Sequence, residues 1–107
     1  MNHTLDTRQL QTLVEVMRTG SFHAAAESLC CVPSAVSNRM KALTEAAGVV
    51  LFVQEGRKVQ PTAACERLTR YAKMILALCE RAVADAKLHA TKFPLLRLGV
   101  IDTAAGV

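Results

Sequence analysis

Residues 21–48 read SFHAAAESLCCVPSAVSNRMKALTEAAG, and their pattern is that of two short helices joined by a tight turn. In the second, Val36, Met40, Leu43 and Ala47 recur at steps of four, three and four, which places them on one side of a 3.6-residue helix. Ser34, Ser37, Asn38, Lys41 and Glu45 fall on the opposite side. Pro33 suits the first turn, where its absent N–H costs nothing, and Gly48 suits a left-handed stop after the last. Seated on a core by its apolar side, such a helix holds out hydroxyls, an amide and an ammonium in a width that fits the DNA major groove. Any surface helix carries a polar side, so the neighbouring segments must decide between the two readings.

Upstream, Gly20 ends one helix and Ser21 caps the next, its hydroxyl accepting a free N–H of the first turn. Phe22, Ala25, Ala26 and Leu29 give the short helix its buried side, and the run Ala24 to Ala26 lets two helices cross closely. Asp6 and Gln9 have capping-box spacing, Leu5 and Leu10 that of a hydrophobic staple. Leu10, Leu13, Val14 and Met17 then form the inner face of a first helix. After Gly48 the period changes. Val49 to Val53 is a β-branched and aromatic run, followed by the polar Gln54 to Lys58 and then Val59, which predicts a hairpin with Gly56 in its turn. A two-stranded hairpin is marginal alone and must pack on the helices. Arg57 and Lys58 project from its tip, toward DNA phosphate or a minor groove in one reading and into solvent in the other.

Thr62 can cap a long helix with Pro61 outside it, and Leu68, Tyr71, Ala72, Ile75, Leu78, Cys79, Ala82, Val83 and Ala86 recur at steps of three and four until about His89. That stripe exceeds what a head formed by residues 1–60 can cover. The surplus face asks for a second copy of the chain; an intramolecular bundle is the alternative, with little sequence left to supply it. Paired helices would set two heads on half-sites one DNA turn apart, ~34–36 Å, which predicts a homodimer on a dyad-related operator.

Composition constrains the function without deciding it. The 107 residues carry net charge +4, compatible with a polyanionic partner. Much of the basic excess lies on the long helix, at Arg67, Arg70, Lys73, Arg81 and Lys87, so charge alone argues weakly for DNA. The few aromatics, Phe22, Phe52, Phe93 and Tyr71, occupy core-like positions, which disfavours a base-stacking single-strand or RNA platform. No apolar run approaches a membrane span of ~18 residues, and the polar start MNHTLD is not that of a signal peptide; a soluble, cytoplasmic protein is expected. Cys30, Cys31, Cys65 and Cys79 lack C-x-x-C spacing and are read as small core residues, with a redox role for Cys65 or Cys79 on the long helix as the alternative. With His3, His23 and His89 dispersed, no metal site is expected. No phosphate loop, catalytic carboxylate pair or nucleophile elbow occurs, so neither a cofactor nor an enzymatic activity is expected.

The order of a helix, GSF, a run of alanines, a turn, PSAVSNRMKAL, a Gly-ended helix, LFVQEGRKVQPT and a long helix resembles the N-terminal portion of LysR-type transcriptional regulators, from about Leu5 to about Val100. It is most similar to the subgroup with a PSAVS-type recognition helix, which includes the arginine and lysine export regulators. The resemblance implies a mainly α fold: a winged helix-turn-helix with a two-stranded wing in residues 1–60, then a dimerisation linker helix in 61–92. Residues 93–107, containing FPLLRLGVI, would be a hinge and the first strand of an effector-sensing domain. A small-molecule effector would bind only in that domain, outside this chain. The resemblance places base-reading positions at Pro33, Ser34, Ser37 and Asn38, and backbone contacts at Ser21, Arg39, Lys41, Arg57 and Lys58. Dimerisation falls to Leu68, Tyr71, Ala72, Ile75, Leu78, Cys79, Ala82 and Val83, with higher oligomers open.

Three positions depart from the family pattern. Asn38 stands where many members have Arg, and an amide pairs best with adenine whereas a guanidinium pairs with guanine. Gln54 stands where many have an Arg in the wing, leaving a minor-groove contact to Arg57. Val32 replaces the usual Ser or Thr cap of the recognition helix, so that cap is lost or moved. The expected function is sequence-specific binding of double-stranded DNA. The rival reading, a helical dimerisation or adaptor protein that binds no DNA, is distinguished by the salt dependence of duplex binding.

Overall fold

The structure, a computed structural model, describes residues 4–90. The order of elements is α1 (Thr7–Thr19), α2 (Phe22–Ser28), α3 (Pro33–Ala47), β1 (Phe52–Glu55), β2 (Lys58–Pro61) and α4 (Ala63–Leu88). This is the mainly α architecture with a two-stranded wing that the sequence predicts. The hinge-and-strand reading of 93–107, and the last two residues of the 61–92 linker, lie outside the described residues.

Local chemistry sets each boundary. The Asp6 carboxylate accepts the Arg8 N–H at 2.8 Å while Gln9 Oε1 accepts the Asp6 N–H at 3.2 Å, closing the capping box of α1. Gly20, at φ 81, stops α1 in the left-handed region and donates its N–H to the Val16 carbonyl. One residue on, Ser21 Oγ accepts the Ala24 N–H at 2.9 Å and starts α2. The α2–α3 turn is tied by the Cys31 N–H to the Ala26 carbonyl, 2.9 Å, and passes through Cys30 at φ 57, a left-handed conformation that L side chains resist. α3 then begins at Val32 without any side-chain cap, its first residue being Pro33, and ends at Gly48, φ 73.

The core lies where α1, α2 and α3 meet. Leu10, Leu13, Ala25, Val36, Leu43 and Leu51 are wholly or almost wholly buried in it. α1 buries more than the stripe of Leu10, Leu13, Val14 and Met17 predicts: Thr12 and Val16 are buried, while Val14 and Met17 are only half-buried. α1 packs on α2 and α3 with one side and on α4 with another, so its buried surface is wider than one stripe. The buried Thr12 hydroxyl is satisfied by donating to the Arg8 carbonyl at 2.8 Å.

The hairpin is shorter than its apolar run. β1 pairs antiparallel with β2 from Phe52↔Pro61 to Glu55↔Lys58, around a two-residue turn with Gly56 at φ 63. Pro61 has no N–H to extend the ladder, and beyond it Thr62 turns the chain into α4, so residues 49–51 have no strand to pair with. Val49 and Val50 are therefore exposed loop, while Leu51 buries completely and accepts the Thr62 N–H at 2.9 Å. Thr62 Oγ1 also accepts the Cys65 N–H at 3.1 Å and donates to the Val50 carbonyl at 2.7 Å, tying wing, loop and long helix at one residue.

A surface clasp joins α1 to the end of α2. Arg18 pairs with Glu15, and the Ser28 hydroxyl donates to Glu15 Oε1 at 3.1 Å. The bond from Arg18 holds the Glu15 carboxyl below its ordinary 4.5. A carboxylate whose folded pKa is lowered stabilises the fold above its unfolded value and loses that effect as pH falls through the folded one. Melting curves of Glu15→Gln and the native chain should therefore differ near neutrality and converge in acid below pH 4.5.

Candidate nucleic-acid interface

The two faces of α3 separate as the periodicity demands. Val36, Met40 and Leu43 are buried, whereas Pro33, Ser34, Ser37, Asn38, Lys41 and Glu45 are all exposed. Ala47, the fourth residue of the apolar side, is half-buried at the helix end. The outward set contains two hydroxyls, one amide and one ammonium within two turns of helix. Among the described residues, none of Ser34, Ser37, Asn38 and Lys41 makes a side-chain hydrogen bond, and all four are exposed. An amide there can form a bidentate pair with one base edge, and a hydroxyl can donate to or accept from a base edge.

Arg39, expected at a backbone contact, has partners inside the head. It is half-buried, and its Nη1 lies 3.4 Å from Thr12 Oγ1 and 4.0 Å from Cys31 Sγ. Its position on α3, between the exposed and buried faces, turns the guanidinium toward α1 and the α2–α3 turn. Arg39 thus cross-braces the helix-turn-helix. Sequence reading missed this role because the partner, a threonine 27 residues earlier, leaves no local signature.

Ser21 spends one lone pair on the Ala24 N–H, which leaves its hydroxyl proton available to an acceptor outside. The wing is fixed to α2 by an edge-to-face contact of Phe22 and Phe52, ring centroids 5.3 Å apart. Its tip holds Arg57 and Lys58, both exposed. Gln54, at the position that resemblance left doubtful, directs its amide to the Gly56 carbonyl at 3.5 Å. Between the wing and the α1–α2 corner lies a cleft of about 560 Å³ lined by Met17, Ser21, Phe22, Phe52, Arg57 and Lys58 among others.

The long helix divides into two faces and two halves. Cys65, Thr69 and Ala72 are buried against the head, with Leu68 and Leu76 packed partly on the same core. Ala72 and Leu68 were expected at a dimer contact. The structure corrects this for Ala72, which is spent inside the chain, and leaves Leu68 only partly accessible, because both sit on or beside the line that faces α1. Tyr71, Ile75, Leu78 and Ala82 lie on a separate exposed line, Leu78 being 64% exposed, and Cys79 and Val83 flank it. From residue 77 to 90 every side chain is exposed.

The cysteines also divide. Cys65 is buried as expected, and burial pushes its thiol pKa up. Cys31 is half-buried, and Cys30 and Cys79 are exposed rather than in the core. Among the described residues no three His, Cys, Asp or Glu side chains are grouped to hold a metal ion, and no helix is long and apolar enough to cross a membrane.

The fold is similar to that of DNA-binding domains solved in complex with DNA. Residues 7–66 match the model for bacterial regulatory helix-turn-helix proteins of the lysR family. The chain is 42% identical over 78 residues to the HTH-type transcriptional regulator HdfR of Shigella boydii, covering 73% of this chain and 28% of that protein. It is 38% identical over 95 residues to the HdfR of Yersinia pestis, covering 89% of this chain and 32% of that one. The chain thus spans less than a third of the length of these relatives. Among solved structures it resembles the CbnR DNA-binding domain in a DNA complex, with TM-score 0.77, 30% identity and coverage of 81% of this chain and 100% of that one. The BenM DNA-binding domain bound to benA site 1 DNA gives TM-score 0.76 at 27% identity, covering 83% and 100%.

Proposed function

Since this chain belongs to the LysR family of bacterial helix-turn-helix regulatory proteins, we propose that it binds double-stranded DNA sequence-specifically, as a homodimer, with α3 in the major groove. The observation that carries this reading is the division of α3, with Val36, Met40 and Leu43 buried and Ser34, Ser37, Asn38 and Lys41 exposed. Pro33, Ser34, Ser37 and Asn38 read base edges. Ser21, Lys41, Arg57 and Lys58 hold the phosphate backbone, and Arg39 acts through the brace to Thr12 and Cys31. Residues 1–60 form the reading head and 61–92 the linker that pairs two copies through Tyr71, Ile75, Leu78 and Ala82. A small-molecule effector would act on such a regulator through a separate domain. The PSAVS start of α3 relates this head to the arginine and lysine export regulators, and Asn38 biases its reading toward adenine over guanine.

Duplex selection from a random pool, followed by binding at increasing salt, tests the proposal. Neutralising six or more phosphates should cost roughly three orders of magnitude in affinity between 50 and 200 mM salt. A loss of only a few-fold would favour a protein-binding adaptor. Asn38→Ala and Ser37→Ala should each lose ~1–3 kcal/mol of discrimination against mismatched sites if the contact is bidentate. Equal losses on selected and random duplex would remove these residues from the reading set. Arg57→Ala should instead weaken binding to every duplex alike and reduce the salt slope by about one unit, measured by fluorescence anisotropy.

A further inference from the structure

We propose that Cys30 and Cys31 form an oxidisable thiol pair that disables the reading surface when it closes to a disulfide; this rests on the assignment of α3 as the DNA-reading helix. Four observations meet at the pair. Cys30 is exposed and Cys31, next to it, is half-buried. Adjacent residues of a regular helix send their side chains about 100° apart, and the left-handed backbone of Cys30, φ 57, interrupts that regularity. Cys31 Sγ is the acceptor for Arg39 Nη1 at 4.0 Å, so the sulfur is part of the brace that holds α3. Pro33 follows two residues after Cys31, and α3 has no side-chain cap to fix its start independently of the turn. The other thiols lack this arrangement: Cys65 is buried, and Cys79 stands on the far half of α4.

The oxidant is a hydroperoxide. Cys30 sulfur attacks one peroxide oxygen, an S–O bond forms as the O–O bond breaks, and the departing hydroxide takes the thiol proton to leave as water. Cys31 sulfur then attacks the resulting sulfenic sulfur, the S–S bond forms as the S–O bond breaks, and the second water carries off the Cys31 proton. Two thiols are oxidised by two electrons in all, and one hydrogen peroxide is reduced to two waters. The eight-membered ring constrains the peptide between the two residues and withdraws the Cys31 sulfur from Arg39. The start of α3, with Ser34, Ser37 and Asn38, is displaced from the orientation set by the head.

The reduced 107-residue chain is treated with hydrogen peroxide, digested with trypsin after alkylation, and titrated in parallel against a duplex selected by the reduced protein. Cys30 and Cys31 lie together on the peptide from Thr19 to Arg39, and Cys65 and Cys79 on separate ones. The expected result is a Thr19–Arg39 peptide lighter by two hydrogens and closed to alkylation, a tenfold or greater loss of duplex affinity, and recovery of both with dithiothreitol. The single variant Cys30→Ser leaves the Cys31 contact to Arg39 in place and should bind the duplex whether or not peroxide is added. The proposal is overturned if that peptide remains alkylatable, if the disulfide forms with affinity unchanged, or if the Cys30→Ser variant still loses binding to peroxide. Peptide mapping of the native chain needs no variant to fold. A reduced chain that binds no duplex would sink the DNA-reading assignment instead, a result distinct from any outcome of the peptide map.

Discussion

Replacing both Ile75 and Leu78 with glutamate yields a folded monomer whose affinity for a two-half-site duplex falls by at least about a hundredfold. Both side chains lie on the exposed line of α4, 37% and 64% exposed, and neither belongs to the core of the head. The head therefore keeps its stability, and only the contact between copies is lost, because two carboxylates would have to be desolvated against the same groups of a partner. Joining two heads raises avidity by ~10²–10⁴ without any new DNA contact, which sets the size of the loss. Sedimentation should give one protomer at concentrations where the native chain gives two, and anisotropy on single half-sites should be nearly unchanged. A native chain that sediments as a monomer would remove the dimer from the proposal.

Leu43→Ala has the largest expected effect on stability. Leu43 is fully buried on α3, and truncating such a leucine costs ~3–5 kcal/mol in transfer free energy and residual cavity. A small head holds only about 5 kcal/mol in all, so the substitution consumes most of its folding free energy. Thermal melting should show the transition shifted to near or below room temperature, with DNA binding lost although no outward residue has changed. Retention of the native melting temperature would place Leu43 outside the core. The contrast with Asn38→Ala, which should leave the melt unmoved, separates what holds α3 from what it presents.

The fold was largely legible because its boundaries are local. Asp6 with Gln9, Ser21, Gly20, Gly48, Gly56 and Thr62 each set a cap or turn within a few residues of themselves, and the structure places all of them in those roles. The polar side of α3 was equally readable, since one period fixes both faces. What failed to show was set by distant packing. Thr12 and Val16 are buried because α1 is covered from two sides, Arg39 turns inward to a threonine in another helix, and Ala72 faces α1 although its spacing equally suits the exposed line. A single stripe of small and apolar residues on a long helix does not announce which part is used inside the chain. The shortened β1 follows from Pro61 across the ladder, a cross-strand constraint that the run Val49 to Val53 does not carry.

The exposure of every α4 side chain from residue 77 onward has a thermodynamic consequence. Residues 77–88 amount to about three turns that continue an already nucleated helix but bury no side chain within the chain. The packing that holds these turns against fraying is then supplied by association, so backbone ellipticity should decline on dilution while the signals of the first sixty-odd residues persist. Protomer concentration would in that way govern not only how many heads meet the double helix but also how much of the rod between them exists.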